Sequence, residues 1–268
     1  MMELLYTIYR FFFARPFFRR FNYAMFRFGL SGMGVMNYRN ERISGEFFLI
    51  NTFLPKYIRT VHPVLFDVGA NIGNFSKMLV QSFPDASIYS FEPHSQNFKH
   101  LKENISSKNV RFQNIALGES NGILSLYDIG TTDGSSHASI YKEVISEIHK
   151  QSAVSCEVSI VTLDDFAEKE GIEFIDYLKI DTEGNELSVL KGATALLKNE
   201  KIGFIHFEFN EMNVISRVFL RDFRTILTNY NLYRLLPNGL LILGDDISQT
   251  ELFAFQNILA IPKTITIQ

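Results

Sequence analysis

From residue 60 onward, short apolar runs rich in β-branched and aromatic residues alternate with stretches whose apolar residues recur at helical spacing. The apolar runs predict strands at residues 64–68, 86–91, 110–114, 174–180 and 202–209. The stretches between and after them predict helices at residues 74–82, 94–104, 163–169, 186–197 and 217–227. This alternation predicts an α/β fold with a Rossmann-like, doubly wound, mainly parallel sheet covered by helices.

The alternation is interrupted by a predicted insertion over about residues 119–161. Runs at 123–129 and 156–161 can pair as an antiparallel ribbon, and the polar, serine-rich stretch between them predicts a long loop. Loops of that length are usually functional or disordered. Thr162 is the predicted N-cap of the helix that follows. Near the end of the chain, strands at 232–236 and 240–243 flank Pro237-Asn238-Gly239, which predicts a terminal antiparallel hairpin, and a strand at 257–261 follows.

Residues 1–60 predict a helical extension or cap, rich in aromatic residues and arginine, on a domain formed by residues 61–268. Residues 1–30 hold 11 of the 37 aromatic residues, and five arginines interrupt every apolar run well before the roughly 18 residues of a membrane span. Two interpretations stay open. The segment can cap the core with its phenylalanines buried, or it can contact an anionic membrane surface peripherally.

Composition narrows the class of protein only a little. A net charge of −3 and no basic stripe beyond residues 10–42 argue against a nucleic-acid partner. The single cysteine, Cys156, excludes an internal disulfide and fits a reducing compartment. We therefore expect a cytoplasmic protein, with peripheral contact at the inner face of the membrane as the alternative through residues 1–30. The oligomeric state is not set by the sequence.

The first strand ends in a loop that suits a nucleoside cofactor, Asp67-Val68-Gly69-Ala70-Asn71-Ile72-Gly73. Gly69 and Gly73 allow a tight turn and a close backbone approach to a ligand. The spacing departs from the Gly-x-Gly-x-x-Gly pattern that binds a pyrophosphate. Asp67 at the strand end suits a cationic ligand such as S-adenosyl-L-methionine, whose ammonium and sulfonium are positive. With this loop we predict Asp67, Gly69, Asn71 and Gly73 as cofactor-binding residues.

Residues after the next two strands complete the predicted cofactor site. Glu92 ends the second strand, where it can accept both ribose hydroxyls. Asn114 and Ile115 follow the third strand and are expected beside the adenine.

Several short motifs, in order, resemble the FkbM-type family of S-adenosylmethionine-dependent methyltransferases. The resemblance covers about residues 62–262. The matched blocks are Phe66-Asp67-Val68-Gly69-Ala70-Asn71-Ile72-Gly73, Phe91-Glu92-Pro93, Ala116-Leu117-Gly118, Thr162-Leu163-Asp164-Asp165-Phe166, Leu178-Lys179-Ile180-Asp181-Thr182-Glu183-Gly184-Asn185-Glu186 and Val189-Leu190-Lys191-Gly192-Ala193. The resemblance implies a class I methyltransferase fold and O-methylation of sugars, glycans or secondary metabolites, so a small-molecule or glycan acceptor is expected.

The ends of the fourth and fifth predicted strands supply the candidate catalytic groups. Methyl transfer to a hydroxyl needs an aligned acceptor and removal of its proton. Asp181 is the first candidate for the base, or for a group that holds the acceptor or the cofactor ammonium, and Glu208 is the second. His137, in the insertion beside Ser135 and Ser136, is a further candidate base because its ordinary pKa suits proton transfer near neutral pH.

Other interpretations of the same residues stay open. Asp181, His206 and Glu208 can together hold a divalent metal such as Mg²⁺, or His206 can be a core histidine and Asp181 part of a turn. Glu186 suits the N-terminus of the following helix. A nucleotide-dependent oxidoreductase of Rossmann type and a non-catalytic, membrane-associated module are the alternative functions.

Overall fold

The computed structural model describes residues 1–129 and 138–267. Eleven strands lie in the described part of the chain. They are β1 (Val64–Val68), β2 (Ser87–Phe91), β3 (Val110–Gln113), β4 (Ala116–Leu117), β5 (Gly122–Ile129), β6 (Ala153–Val161), β7 (Ile175–Ile180), β8 (Ile202–Phe209), β9 (Tyr230–Leu236), β10 (Gly239–Ile242) and β11 (Gln256–Pro262).

The described residues also form thirteen α-helices and three tighter or wider helical turns. The helices are α1 (Met2–Phe13), α2 (Arg19–Gly32), α3 (Glu41–Ser44), α4 (Glu46–Phe48), α5 (Leu54–Tyr57), α6 (Asn74–Ser82), α7 (Ser95–Asn104), α8 (Leu163–Glu170), α9 (Glu186–Lys191), α10 (Thr194–Lys198), α11 (Met212–Ser216), α12 (Leu220–Ile226) and α13 (Ile247–Thr250). A 3₁₀ turn covers Pro16–Phe18, and π-helical turns cover Leu49–Phe53 and Val144–Ile148.

Eight strands form one sheet in the order β10-β9-β11-β8-β7-β1-β2-β3. Five strands, β8, β7, β1, β2 and β3, are parallel to one another, whereas β11 lies between β8 and β9 and is antiparallel to both. The chain order reverses between β1 and β7, which is where a doubly wound sheet opens its ligand crevice. The predicted Rossmann-like, doubly wound, mainly parallel sheet with its terminal antiparallel hairpin is confirmed.

Both faces of this sheet are buried, which explains the uninterrupted apolar runs of its central strands. Leu65 and Tyr177 pack against α6, α7 and the turn at Leu49–Phe53 on one face. Phe66 and Leu178 point to the other face, against α8, α9 and α12. Because each central strand contributes to both cores, the ends of β1 and β7 are held firmly beside each other.

The insertion forms a second, three-stranded sheet in the order β4-β6-β5. β5 and β6 pair antiparallel along their whole length, as predicted, and β4 pairs parallel with the end of β6. The backbone N–H of Asp165 donates to Thr162 Oγ1 at 3.1 Å, so the predicted cap of α8 is confirmed.

Two predicted helices differ from the structure. The one predicted over 186–197 is divided into α9 and α10, because Gly192 crosses Gly118 so closely that a Cβ there would lie 2.0 Å from the Gly118 carbonyl oxygen. The one predicted over 217–227 begins later, at α12. Arg217 instead ends the separate helix α11 with a left-handed conformation, φ 58°.

The N-terminal helices divide into two parts. From Leu30 onward the chain packs on the core, with Val35, Leu49, Ile50 and Leu54 fully buried. Before Leu30, α1 contains no buried residue and the aromatic side chains of α2 are largely exposed. A cap that buries the phenylalanines of residues 1–30 is therefore wrong, and the segment that packs on the core is the one that follows. Among the described residues, no helix has the length and apolar character needed to cross a membrane.

Candidate active site

The loop between β1 and α6 adopts the conformation that its glycines predict. Gly69 and Gly73 have φ of 85° and 91°, and Asn71 is also left-handed at 49°. A Cβ on Gly69 would lie 1.7 Å from the carbonyl oxygen of Asp181, so the loop lies directly against the chain that leaves β7. Gly73 instead faces Leu101 and Ile105 of the neighbouring helix region, where a Cβ would lie within 2.8 Å of both side chains. Gly69 thus shapes the site, whereas Gly73 allows α6 to pack.

Glu92 lies at the end of β2 with its carboxylate fixed by two backbone groups. Oε2 accepts the N–H of Asn71 at 2.9 Å, and Oε1 accepts the N–H of His94 at 2.8 Å. The residue is 5% exposed, and burial raises its pKa to about 7 against the opposing effect of these two hydrogen bonds. Each oxygen keeps a second lone-pair direction for a ligand hydroxyl.

A cavity of about 280 Å³ opens beside Glu92 at the crevice between β1 and β7. Its walls are mostly apolar near the ends of β2 and β4 and carry carboxylates near the ends of β7 and β8. They are formed by Val68, Gly69, Asn71, Phe91, Glu92, Pro93, Asn97, Ile115, Ala116, Leu117, Leu126, Ala138, Ile140, Asp181, Thr182, Glu183, Asn185 and Glu208. A mostly apolar cavity between Glu92 and a carboxylate cluster suits a nucleoside joined to a cationic chain.

The predicted adenine neighbours have different positions. Ile115 lines the cavity. Asn114 is absent from the cavity wall, and its amide donates to the carbonyl oxygens of Glu92 and Pro93 at 2.8 and 3.0 Å. Asn114 therefore supports the loop that carries Glu92.

A buried ammonium lies under the carboxylate end of the site. Lys179 Nζ is 2.9 Å from Asp181 Oδ2 and 3.9 Å from Asp67 Oδ1, and it lies over the Phe75 ring. Burial lowers the pKa of Lys179, but the carboxylates of Asp181, Asp67 and Glu46 raise it by more, so the net shift is upward. Lys179 is consequently a permanent cation.

Asp67 lies behind the cavity wall. It is fully buried, it accepts a hydrogen bond from Ser76 Oγ at 2.6 Å, and β1 pairs with β7 so that it is opposite Lys179. Burial raises the pKa of Asp67, partly offset by Lys179 and Ser76. This geometry disfavours the predicted direct contact between Asp67 and a ligand, because the side chain reaches neither cavity of the site.

Asp181 and Glu208 come together as predicted, at the adjacent ends of β7 and β8. Asp181 is 34% exposed, so it is open to the site while it pairs with Lys179. Burial raises the pKa of Glu208 well above its usual range, and the nearby carboxylates of Asp181 and Glu183 raise it further. The Asn210 amide donates to Glu208 Oε1. A carboxyl group with a raised pKa is suited to accept a proton near neutral pH.

A second cavity, of about 510 Å³, meets the first at Gly69, Asn71, Asp181 and Glu208. Its far side is formed by the N-terminal segment that packs on the core. The remaining lining residues are Tyr38, Asn40, Glu41, Ser44, Glu46, Ala70, Ile72, Asn74, Phe75, Met78, Lys179 and Phe255. The carboxylates of Asp181 and Glu208 therefore form a wall shared by two spaces.

The proposed metal ligands do not form a metal site. His206 is 1% exposed, and its Nδ1 is 2.8 Å from the Tyr177 hydroxyl. The centroid of its ring lies 6.1 Å from that of Phe75. Burial lowers the pKa of His206 to about 3, with Lys179 adding to the effect, so it is a neutral core histidine. Within residues 1–129 and 138–267, no group of three His, Cys, Asp or Glu side chains is arranged to hold a metal ion.

The insertion forms one wall of the first cavity. Leu126, Ala138 and Ile140 line it, and Ser139 Oγ donates to the carbonyl oxygen of Glu183 at 2.7 Å. Ser135, Ser136 and the candidate base His137 lie outside the described residues.

Glu186 holds the loop between β7 and α9. Its Oε1 accepts the N–H groups of Thr182 and Gly184 and the Thr182 hydroxyl, at 2.8 to 3.1 Å. Burial raises the pKa of Glu186 to about 7 against these hydrogen bonds. The interpretation of Glu186 as a residue of the helix start, rather than of the reaction, fits these contacts.

Two functional residues were missed from the sequence. Lys179 had a signal, since it is a lysine inside an apolar strand and shares a strand face with Asp181 two residues later. Glu46, from the N-terminal segment, had none, because its carboxylate acts on the Lys179 ammonium across more than 130 residues of chain.

Comparison with known proteins identifies the family to which the chain is similar. The model of the methyltransferase FkbM domain matches residues 67–235, more than half of the chain. Methyltransferase sdnD of Sordaria araneosa is 31% identical over 49% of this chain and 60% of its own length. The 2-O-methyltransferase NoeI of Sinorhizobium fredii is 26% identical over 66% of this chain and 76% of its own.

Other relatives are similar over shorter parts of their length. The hexuronic acid methyltransferase AglP of Haloferax volcanii is 27% identical over 55% of this chain and 56% of its own. The chain thus spans less than two thirds of the Sordaria and Haloferax proteins. A crystal structure of a methyltransferase FkbM from Methylobacillus flagellatus covers 80% of this chain and 47% of its own, at 13% identity and a TM-score of 0.47. The extent of the family match decides the assignment: the chain belongs to the FkbM-domain family of methyltransferases.

Proposed function

We propose that the protein is an S-adenosylmethionine-dependent O-methyltransferase whose acceptor is a hydroxyl of a sugar or glycan. The observation that carries the proposal is the pair of cavities that meet at Asp181 and Glu208, one of them with Glu92 at its far end. The relatives named as a 2-O-methyltransferase and a hexuronic acid methyltransferase support the acceptor class.

In this proposal the first cavity holds the cofactor. Glu92 accepts the ribose hydroxyls, and Ile115 and Leu117 pack on the adenine, which needs a flat apolar surface. Asp181 lies where the positive end of the cofactor is stabilised by a carboxylate. When bound, S-adenosylmethionine supplies a methyl group on a good leaving group.

The second cavity holds the acceptor in this proposal. Its lining combines hydroxyl, amide and carboxylate groups from Tyr38, Asn40 and Glu41 with the Phe75 ring. Such a mixture suits a polyhydroxylated ring, which offers both hydrogen-bonding groups and a C–H face. The acceptor would reach the methyl group only through the shared wall.

At that wall, Glu208 takes the hydroxyl proton and Asp181 orients the hydroxyl. With the cofactor bound, the acceptor oxygen would form the new C–O bond as the C–S bond breaks, and the proton would pass to the Glu208 carboxylate. Glu208 is preferred as the base because its raised pKa makes its carboxylate the stronger base, whereas Asp181 is already paired with Lys179.

The first test is calorimetric titration with S-adenosylhomocysteine, with NAD and NADP as controls. Micromolar binding of S-adenosylhomocysteine alone supports the cofactor, and binding of a dinucleotide instead would overturn it. Methyl transfer from isotopically labelled cofactor to hexuronic acids and other sugars then tests the acceptor class.

Glu208→Gln should reduce turnover by about 10²–10⁴-fold, which is the usual contribution of a general base. S-adenosylhomocysteine affinity should change little. Glu119→Gln is a matched control, because Glu119 is exposed and lies outside both cavities. Full turnover by Glu208→Gln, with loss of turnover in Asp181→Asn, would transfer the role of base to Asp181.

A further inference from the structure

Helix α1, the turn after it and helix α2 up to Gly29 form an arm that does not pack on the core. We call residues 2–29 the N-terminal arm. Phe17 is 88% exposed, and Phe11 and Phe28 are 65% and 69% exposed. Solvent-exposed phenylalanines in this number are unusual for a soluble surface and point to a surface that is covered.

The arm has contacts of its own that hold its two helices together. Asn22 Nδ2 donates to the carbonyl oxygen of Phe13 at 2.9 Å, and the Tyr9 hydroxyl donates to Asn22 Oδ1. The Phe13 ring lies 5.0 Å from Phe18 and 5.6 Å from Phe21, between centroids. The arm is therefore a hairpin of helices whose outer side chains are free for another surface.

Helix α1 is amphipathic. At 100° per residue, Glu3, Thr7 and Arg10 fall within one narrow stripe, and Arg10 Nη2 lies 3.9 Å from Glu3 Oε2 along it. The remaining arc is apolar and includes Leu4 and Phe12.

Helix α2 mixes arginine and aromatic side chains around its axis. At 100° per residue, Tyr23 lies between Arg19 and Arg27, and Phe26 lies beside Arg19, whereas Phe21 and Phe28 lie on a side without arginine. All of these side chains are exposed. A membrane interface accommodates such a mixture, because aromatic rings lie at the level of the headgroups and arginine side chains extend to the lipid phosphates.

Charge is separated between the arm and the rest of the protein. Residues 1–30 hold five arginines and one glutamate, in a chain with a net charge of −3, so the remainder is clearly acidic. A bilayer with anionic headgroups attracts the arm and repels the body. A second copy of the arm would instead bring arginines together.

We propose that the N-terminal arm docks on an anionic phospholipid bilayer, with its phenylalanines at the level of the headgroups and its arginines on lipid phosphates. This does not depend on the proposed function, because it rests only on the arm. The position of the arm gives the docking a consequence for the site.

The arm continues directly into the lining of the second cavity. The Met33 carbonyl oxygen accepts a hydrogen bond from buried Arg234, and the Met36 N–H donates to the Phe255 carbonyl oxygen at 2.7 Å. Tyr38 and Asn40, which line the second cavity, follow within a few residues. A docked arm therefore brings the N-terminal wall of that cavity close to the membrane surface.

The test is flotation of the full chain with vesicles of phosphatidylcholine, with and without phosphatidylglycerol. We expect binding only to vesicles that contain phosphatidylglycerol, and weaker binding at high salt. The triple variant Arg19→Gln, Arg20→Gln, Arg27→Gln should bind about 100-fold more weakly, since each arginine contributes about fivefold. The matched control is Lys108→Gln, Lys201→Gln, Lys263→Gln, which removes the same charge from exposed positions of the body.

The apolar contribution has its own pair of variants. Phe11→Ser with Phe28→Ser should weaken binding to the same vesicles by at least tenfold. Ile123→Ser with Val154→Ser removes exposed apolar side chains of the insertion and should leave binding unchanged. Circular dichroism confirms that each variant is folded.

Three results would overturn the proposal. The wild type can remain unbound with phosphatidylglycerol, or the arginine variant and its control can lose binding equally. The third result is found by light scattering without vesicles: if the wild type is a dimer and Phe11→Ser with Phe28→Ser is a monomer, the arm is a contact between two copies.

Discussion

Glu92 should make the affinity for S-adenosylhomocysteine depend on pH. Burial raises the pKa of Glu92 to about 7, and the Asn71 and His94 N–H groups lower it only in part. Two ribose hydroxyls donate best to the ionised carboxylate, so binding favours that form and lowers the pKa in the complex. Affinity is then greatest above pH 7 and is lost as the pH falls through 7.

The size of the effect follows from the ionised fraction. With a pKa of about 7, about 1% of the free protein has an ionised Glu92 at pH 5, and most of it does at pH 8. A complex that keeps Glu92 ionised throughout therefore binds about 100-fold more tightly at pH 8 than at pH 5, or about 2.7 kcal/mol. Solvent screens this little, because Glu92 is 5% exposed.

The stability of the unliganded protein should change in the opposite direction. A carboxyl whose pKa is raised on folding stabilises the fold fully below its ordinary pKa of 4.5, and this contribution is lost as the pH rises through 7. Thermal unfolding of wild type and Glu92→Gln without ligand, compared at each pH, therefore tests the pKa of Glu92 independently of cofactor binding, because Glu186, whose pKa is also raised to about 7, titrates in both proteins.

The assay is calorimetric titration at several pH values between 5 and 8, for wild type and Glu92→Gln. The variant has no titrating group at this position, so it should bind weakly and with little dependence on pH. It also corrects for titration of the ligand itself. Equal pH dependence in the two proteins would refute the assignment of Glu92 to the ribose.

Three further predictions concern the structure around the site. Lys179→Met should lower the free energy of unfolding in urea by about 3–5 kcal/mol, since it leaves Asp67 and Asp181 without their cation. A loss below about 1 kcal/mol would mean that these two ion pairs do not stabilise the fold. Gly69→Ala should abolish S-adenosylhomocysteine binding, because its Cβ would overlap the Asp181 carbonyl oxygen, whereas Gly239→Ala meets no atom within 4 Å and should bind normally. Thr162→Ala should cost about 1 kcal/mol through loss of the α8 cap, and an unchanged urea midpoint would contradict that role.

The fold was predictable where burial alone decides the pattern. β1 and β8 are covered on both faces, so their apolar runs have sharp ends, and residues 64–68 and 202–209 were predicted with the bounds that the structure has. The break between α9 and α10 was not predictable from local sequence. It follows from the approach of Gly192 to Gly118, a contact between segments more than 70 residues apart.

The site shows the same division between local and distant causes. Gly69 and Glu92 were found because a turn after a strand and a carboxylate at the next strand end are local signals. The aromatic and arginine content of the arm is visible in the sequence, but the exposure of the arm and the cavity under the N-terminal segment are not. Their positions depend on how residues 33–36 attach to β9 and to Phe255, just before β11, which only the folded chain determines.

The negative charge predicted for the end of β1 is present in the site, but several residues share it and Asp67 is not the one that faces the ligand. The argument placed a carboxylate at the end of β1 to stabilise a cationic cofactor, yet Asp67 is buried behind the wall. Asp67 and Asp181 instead share the Lys179 ammonium, with Glu46 nearby. One cation among three carboxyl groups leaves the cluster acidic, and only Asp181 presents that charge to both cavities. A positive ligand is thus favoured at the shared wall, with Asp67 acting through Lys179 to hold Asp181 in place.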